Sequence, residues 1–481
     1  TRLAFSEDVK KRFESYGWHV MQIDGHDRSA IRRAIRKSQK TGDRPSLIIS
    51  RTVIGWGSPN MHGTADVHGS PLGAEEAAAT KKALGWPAEP RFHVPDEVRD
   101  EFRKRTRKLA RQRKHWTKLM AEWRSDQPQL AAIWDTFWKQ EMPDGWVEQL
   151  LEGVRSDGPV ATRSLSGKAI QEIARMVPFF AGGSADLAPS NNTEIKTSTS
   201  IARSSEVAGP PELDVFGGRN IHFGIREHAM AAIVNGMTLY GSWRAYGGTF
   251  LIFSDYMRPS IRLAALMKIP SIYVFTHDSV FLGEDGPTHQ PVEQLWSLRS
   301  VPNLRVFRPA DAMEVAMAWA WAMNNKTSPV ALALTRQKID PLPHADGDSD
   351  GVWRGAYIVS GFEEGDLTIM ATGSEVSLAV ETAKRLGENG TRARVVSAPC
   401  LELFREQKPR YQDQVLGTDR GKVVVIEAGA TQGWYQFVDR DALVIGIDDF
   451  GHSAPYKVIA EKLGFTPEGV IERIEGWKKN R

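Results

Sequence analysis

The stretch "SIYVFTHDSVFLGEDGPTHQP" (271–291) opens on an apolar run and then turns abruptly polar. It reads as a strand ending in His277, followed by a loop of Gly283, Gly286 and Pro287 that delivers Glu284, Asp285 and His289. Glycines permit tight backbone turns, so two histidines and an acid can converge at the end of one strand. Open α/β sheets place their ligands at such strand ends. From these residues alone, a polar loop with one capped histidine reads equally well. A zinc site fits less well, because no ligand pair lies on a helix and no cysteine is near.

Outward from this strand, three stretches alternate helix and strand periods, the pattern of α/β domains with mainly parallel sheets. The first holds "DVKKRFESYGWHVMQID" and "SAIRRAIRKSQKTGDRPSLIISRTV", read as helix, strand, helix, strand, before the loop "GWGSPNMHGTADVHGSPLG". It is too short for a complete domain and is assigned to 1–97. Residues 98–150 read as a helical linker. Nine of residues 101–118 are Lys or Arg, but acidic neighbours cancel the charge and no nucleic-acid reader motif accompanies them, so this is a solvated helix.

The second stretch, 151–345, has strands "PFFAGG", "SIYVFTHD", "LRVFRP" and "VALALTR", and helices "IREHAMAAIVNGMTL" and "AMEVAMAWAWAMN". A polar boundary, "PHADGDSDG" (343–351), separates it from the third, 352–481, which repeats the pattern.

Composition narrows the function class. The chain has 481 residues, enough for about two to four domains. A net charge of +3 gives no case for nucleic-acid or membrane binding. Cys400 is the single cysteine, which excludes an internal disulfide and fits a reducing, cytoplasmic compartment. No apolar run approaches the ~18 residues of a membrane span. The chain starts at Thr1 and in mid-pattern, as if inside a longer protein.

Other residues carry possible chemistry. "HFGIREHAM" (222–230) sets Glu227 between Arg226 and His228 ahead of an apolar helix. A carboxylate there is costly to bury unless something pairs with it or needs its proton. Arg163, Ser190 and Arg336 stand at other strand ends. Brought together with a histidine they would suit a phosphate, whose oxygens a guanidinium binds bidentately. Taken singly, each arginine reads better as a surface ion pair. Phe250, Phe253 and Tyr256 are spaced three apart, which reads as one helical face and more often as core than as a cofactor pocket. His62 and His68 lie in a glycine-rich loop, where histidines are commonly just exposed.

In this order, "GGSADLAPSN", "IHFGIREHAM", "YGGTFLIFSDY", "THDSVFLGEDGPTHQP" and "LTRQ" resemble transketolase, the thiamine-diphosphate enzyme that moves two-carbon ketol units. The third stretch resembles that family's C-terminal domain, and "GWGSPN…HGSPLG" the end of its diphosphate-binding domain. The likeness spans essentially the whole chain.

The resemblance implies a fold of three successive α/β domains, the first incomplete, and an enzyme acting on the sugar phosphates of the pentose phosphate pathway or Calvin cycle. It implies that Glu227 hydrogen-bonds the aminopyrimidine of the cofactor, that Phe250, Phe253 and Tyr256 line the pyrimidine pocket, and that Asp186 and His68 contact the cofactor. Arg163, Ser190, His277 and Arg336 match the substrate-phosphate site. Asp285 matches a contact to a sugar hydroxyl, and His289 and His68 match histidines near the reacting carbons. Phe281 departs from the Gly or Ala usual in the family. The family's metal-binding "GDG…N" is missing from this chain, so the ligands of Mg2+ (or Ca2+ or Mn2+) are expected upstream of Thr1, in the same polypeptide or in a separate partner chain. A homodimer with its active site between chains follows from the same likeness. Dihydroxyacetone synthase, which uses formaldehyde as acceptor, and a non-catalytic transketolase-like subunit are the competing readings.

Overall fold

The computed structural model describes residues 3–201, 217–345, 347–361 and 365–481. It divides into two compact units, Thr1–Trp123 and Arg124–Arg481.

The first unit opens as its sequence pattern leads one to expect. Helix Val9–Ser15 is capped by Asp8 and helix Arg28–Lys40 by Asp27, each carboxylate accepting a backbone N–H of the first turn. Strands β1 (His19–Asp24) and β2 (Ser46–Arg51) follow these helices and pair in parallel, His19 opposite Ser46. Beyond them, the region read as a loop contains a 3-10 turn, Ala65–Val67. After it, "GAEEAAATKKA" forms a helix, Gly73–Ala83, as its alanine and glutamate content favours. The basic segment lies in helix Asp96–Asp126, which has no buried residue. Ion pairs such as Arg103–Asp100 and Lys118–Glu122 offset its charge.

The second unit holds two sheets. Six strands, β3 (Phe180–Ser184), β4 (Asn220–His222), β5 (Arg244–Phe250), β6 (Ile272–Thr276), β7 (Arg305–Phe307) and β8 (Val330–Leu334), form an all-parallel sheet in the order β4-β3-β5-β6-β8-β7. Its central strands are apolar on both faces. Ile272 and Val274 pack towards helices Trp146–Val154, Thr162–Met176 and Ala312–Asn324, while Tyr273 and Phe275 pack towards Glu227–Tyr240 and Ser254–Met267. Burial on both sides is why these strands read as unbroken apolar runs.

The third stretch forms β9 (Tyr357–Gly361), β10 (Leu367–Ala371), β11 (Ala393–Ser397), β12 (Val423–Ile426) and β13 (Leu443–Ile445), in the order β13-β12-β10-β11-β9. Edge strand β9 runs antiparallel to β11, with an irregularity between Val395 and Val396. The boundary at 343–351 is not all loop, because Asp348–Arg354 is helical; Asp346 lies outside the described residues.

Candidate active site

The residues singled out in the second unit gather at the carboxyl ends of the six-stranded sheet. Arg163 is the second residue of helix Thr162–Met176. That helix is clasped to the end of β8, since the Thr162 N–H donates to Thr335 Oγ1 (3.1 Å) and the Thr335 N–H donates to Thr162 Oγ1 (2.7 Å). The clasp sets Arg163 beside Arg336, so that the charge of Arg336, acting after burial, lowers the Arg163 guanidinium from its usual value. Arg163 Nη1 donates to the Ser190 carbonyl (2.8 Å) and faces His277 Nε2 at 3.4 Å. It is thus the backbone of Ser190, not its hydroxyl, that meets the arginine. The acid nearest Arg336 is Glu284, 3.9 Å away, with both side chains substantially exposed.

His277 is buried and follows directly on β6 in a left-handed conformation, φ 58°, which a residue with a Cβ seldom adopts. A chain of buried hydroxyl and amide groups fixes its ring. Ser184 Oγ donates to the Gly248 carbonyl (2.8 Å), Asn191 Nδ2 donates to Ser184 Oγ (3.0 Å), and Thr276 Oγ1 donates to Asn191 Oδ1 (2.7 Å). Thr276 has then spent its one proton, so its contact with His277 Nδ1 at 2.8 Å requires the imidazole to donate. His277 therefore carries its proton on Nδ1 and presents Nε2 as an acceptor towards Arg163. Burial pushes its pKa down to about 3, with Arg163, Arg336 and His289 acting in the same direction. The ring is neutral at physiological pH.

The loop after His277 needs its glycines. Gly283 has φ 100° and ψ −123°, and Gly286 has φ 77°. Between them Glu284 and Asp285 are exposed. His289 closes the loop, with its Nδ1 2.9 Å from Thr288 Oγ1 and its ring edge-on to Phe253 at 5.7 Å.

Phe250, Phe253 and Tyr256 do form a ladder, but not on one helical face. Phe250 ends β5, Phe253 sits in a 3-10 turn (Leu251–Phe253) and Tyr256 lies in helix Ser254–Met267. The preceding run stays extended because its glycines and threonine sit in the packed sheet, overriding the helical spacing. The rings step out from buried Phe250 to exposed Tyr256, at 6.0 and 6.1 Å between centroids.

Glu227 is the first residue of helix Glu227–Tyr240, which begins two residues later than "IREHAMAAIVNGMTL" suggests, after Gly224 makes a left-handed turn. Glu227 is only 8% exposed, and its carboxylate makes no hydrogen bond or ion pair to another described residue. Asp186 is exposed, in a left-handed conformation of φ 63° just past β3.

His68 belongs to the first unit, where it is exposed and ends the turn Ala65–Val67. His62 and His26 in that unit flank Trp56, with His26 stacked on the indole at 3.9 Å. Thr276, Asn191 and Ser184 carry no signal of their own in the sequence, although each lies in a motif already noted. Phe281 is buried in the core, where it packs edge-on against Phe465 at 5.4 Å.

Family models match along the whole chain: the transketolase thiamine diphosphate binding domain over 1–143, the transketolase pyrimidine binding domain over 158–341 and the transketolase-like C-terminal domain over 355–466. These define the class, that of thiamine-diphosphate-dependent transferases. A transketolase of Aquifex aeolicus is 45% identical over 99% of this chain and 68% of its own length. Among solved structures, transketolase from Leishmania mexicana is similar with a TM-score of 0.90 and 38% identity, covering 100% of this chain and 69% of that one. A transketolase complex with sedoheptulose 7-phosphate from Pichia stipitis gives 0.89 and 37%, covering 98% of this chain and 69% of that one. The chain belongs to the transketolase family.

Proposed function

We propose that this chain carries out reversible transfer of a two-carbon ketol unit from a ketose phosphate, such as xylulose 5-phosphate, to an aldose phosphate, such as ribose 5-phosphate. The observation that carries the reading is the convergence of Arg163, Arg336 and His277 into an electropositive cluster sharing a wall with the aromatic ladder. Two guanidiniums with little acidic compensation suit a phosphate dianion better than the carboxylate of a 2-oxo acid with no phosphate.

The residues present fit the cofactor's pyrimidine. A carboxylate on a buried residue is costly unless something pairs with it, and Glu227 has no partner among the described residues. Phe250, Phe253 and Tyr256 offer stacked faces to a flat ring. Thiamine diphosphate, when bound, supplies the carbanion chemistry, and the protein supplies orientation and electrostatics. In this reading Glu227 shares a proton with a ring nitrogen, and Asp186 and His68 contact the cofactor. Arg163, Arg336 and the Ser190 segment hold the substrate phosphate, and His277 Nε2 accepts from Arg163 or a sugar hydroxyl. Asp285 binds a hydroxyl, and His289 moves protons on substrate oxygens. A divalent cation, magnesium or its substitutes calcium and manganese, belongs to the same reading, since a diphosphate needs compensating charge.

The proposal extends to a two-fold homodimer in the cytoplasm. Helices Glu227–Tyr240 and Ser254–Met267 present Ile233, Leu239, Tyr240, Leu263 and Leu266 to solvent, an apolar face of the kind that self-complementary interfaces cover. Among the described residues no helix is long and apolar enough to cross a membrane. Light scattering of the intact gene product should report a dimer, and a clean monomer would remove this part of the reading.

A coupled assay of the intact gene product with xylulose 5-phosphate and ribose 5-phosphate tests the reaction. Transfer between these sugars supports it. Activity confined to formaldehyde as acceptor would instead favour dihydroxyacetone synthase, and no transfer at all the non-catalytic subunit.

A further inference from the structure

The residue after His277 is Asp278, whose buried carboxylate plays no part in the reading above. Asp278 Oδ2 accepts from Arg308 Nε at 2.8 Å. Arg308 is completely buried and lies just past β7, yet its other partners come from the domain built on the five-stranded sheet. Its Nη1 donates to the carbonyl and the hydroxyl of Thr372, both at 3.0 Å, and to Glu375 Oε2. Its backbone is held by the same domain, since the Arg308 N–H donates to the Pro399 carbonyl (2.8 Å) and the Gly373 N–H donates to the Arg308 carbonyl (3.0 Å). Gly373 makes the approach possible, because a Cβ there would stand 2.9 Å from Arg308 Cγ and Nε. Glu375 Oε2 also accepts from the Ala428 N–H (2.9 Å), and Glu427 pairs with Arg299 through two 2.8 Å bonds.

The same domain grips the far end of the loop that His277 begins. Ser453 Oγ donates to the Glu284 carbonyl (2.6 Å), and Gln290 Nε2 donates to the carbonyls of Val280, Gly283 and His452. The C-terminal domain thus clamps both ends of 277–290. At the first end the clamp acts on the peptide that carries the left-handed φ of 58°.

We propose that Asp278 and Arg308 are positioning residues through which the C-terminal domain holds His277 in its left-handed conformation, with Nε2 turned towards Arg163. A strained backbone persists only where the surroundings over-determine it, and the buried ion pair is what does so here. The inference rests on the reading of His277 as part of the substrate-phosphate site. It assigns work to a domain that contributes none of the residues of that site.

The charges make Asp278 the informative position. Asp278, Glu375 and Glu427 face Arg308 and Arg299, so removing Asp278 leaves two acids opposite two arginines and the fold should survive. In the intact protein, Asp278→Ala is expected to raise the KM for a phosphorylated donor roughly tenfold, the scale of a sub-ångström misplacement. It should leave kcat and the KM for hydroxypyruvate nearly unchanged. Asp278→Asn keeps an acceptor for Arg308 Nε and should restore most of the loss. In a His277→Ala background, Asp278→Ala should add nothing, because a residue acting through another has no effect once that other is gone. Equal losses on both donors, or additive effects in the double variant, would overturn the proposal. The imidazole 15N resonances of His277 separate it from the reading beneath. If His277→Ala leaves the KM for phosphorylated donors unchanged, the phosphate-site reading falls. The positioning role is then still decided by whether Asp278→Ala moves those resonances (support) or leaves them in place (refutation).

Discussion

His277 lies face to face with Phe250, their ring centroids 3.7 Å apart and their planes 28° from parallel. This contact joins two regions that the sequence keeps separate, the end of β5 with its aromatic ladder and the end of β6 with its cationic cluster. The wall that suits a pyrimidine and the wall that suits a phosphate are therefore set at a fixed spacing by neighbouring strands of one sheet.

The neutral state of His277 has a pH consequence whose sign follows from its shift. Burial lowers its folded pKa to about 3, against about 6.5 in an unfolded chain. The unfolded state therefore takes up the proton first, and stability present above about pH 6.5 is lost as pH falls towards 3. Imidazole 15N spectra should show a neutral, Nδ1-protonated ring down to about pH 5. His277→Gln should flatten the decline in Tm over that range. An imidazolium signal near pH 6 would refute the assignment.

Glu227→Gln should abolish transfer while leaving the fold intact. The carboxylate has no partner among the described residues to lose, so Tm should hold, while an amide cannot share the proton. A loss of about 10²–10⁴ in kcat is the usual scale for a missing acid–base group. Near-normal turnover would sink the role of Glu227.

Arg163→Ala and Arg336→Ala should each raise the KM for phosphorylated donors far more than for hydroxypyruvate, by about 1.5–3 kcal/mol, the range for a hydrogen bond to a charged group. Their stability costs should differ. Arg336 makes one long, exposed ion pair, whereas Arg163 is half-buried and bonded to Ser190. Steady-state kinetics with both donors, beside melting curves, check both halves.

Phe281→Ala tests whether the departure at that position shapes the pocket or the core. Packed against Phe465, the ring should cost about 3–5 kcal/mol when removed. KM should be unaffected. A changed KM with unchanged stability would place the ring in the pocket instead.

Much of this was legible in the sequence because the signals are local. An apolar run such as Val330–Leu334 is a buried strand whatever its neighbours, and "GEDG" must turn where its glycines allow positive φ. An acid set in an apolar helix, as Glu227 is, announces a partner. What spacing could not resolve is where local patterns compete with packing. Phe250, Phe253 and Tyr256 have helical spacing, yet the first is drawn into a strand because β5 lies between β3 and β6. Edge strand β9 reverses direction with no mark in its own residues.

The site itself was decided only by tertiary structure. Arg163 meets His277 across 114 residues, and Thr162 clasps Thr335 across 173, because the strand order β4-β3-β5-β6-β8-β7 brings those ends together. Arg308 shows the limit most plainly. In "FRPAD" it is one arginine among many, and its meaning comes from Asp278, Thr372 and Glu375, none of which lies near it in the chain. Periodicity and turn chemistry act over a few residues and so are written locally. Charge pairing, tautomer choice and the holding of a strained backbone depend on which distant groups share one buried space, and only the packed chain decides that.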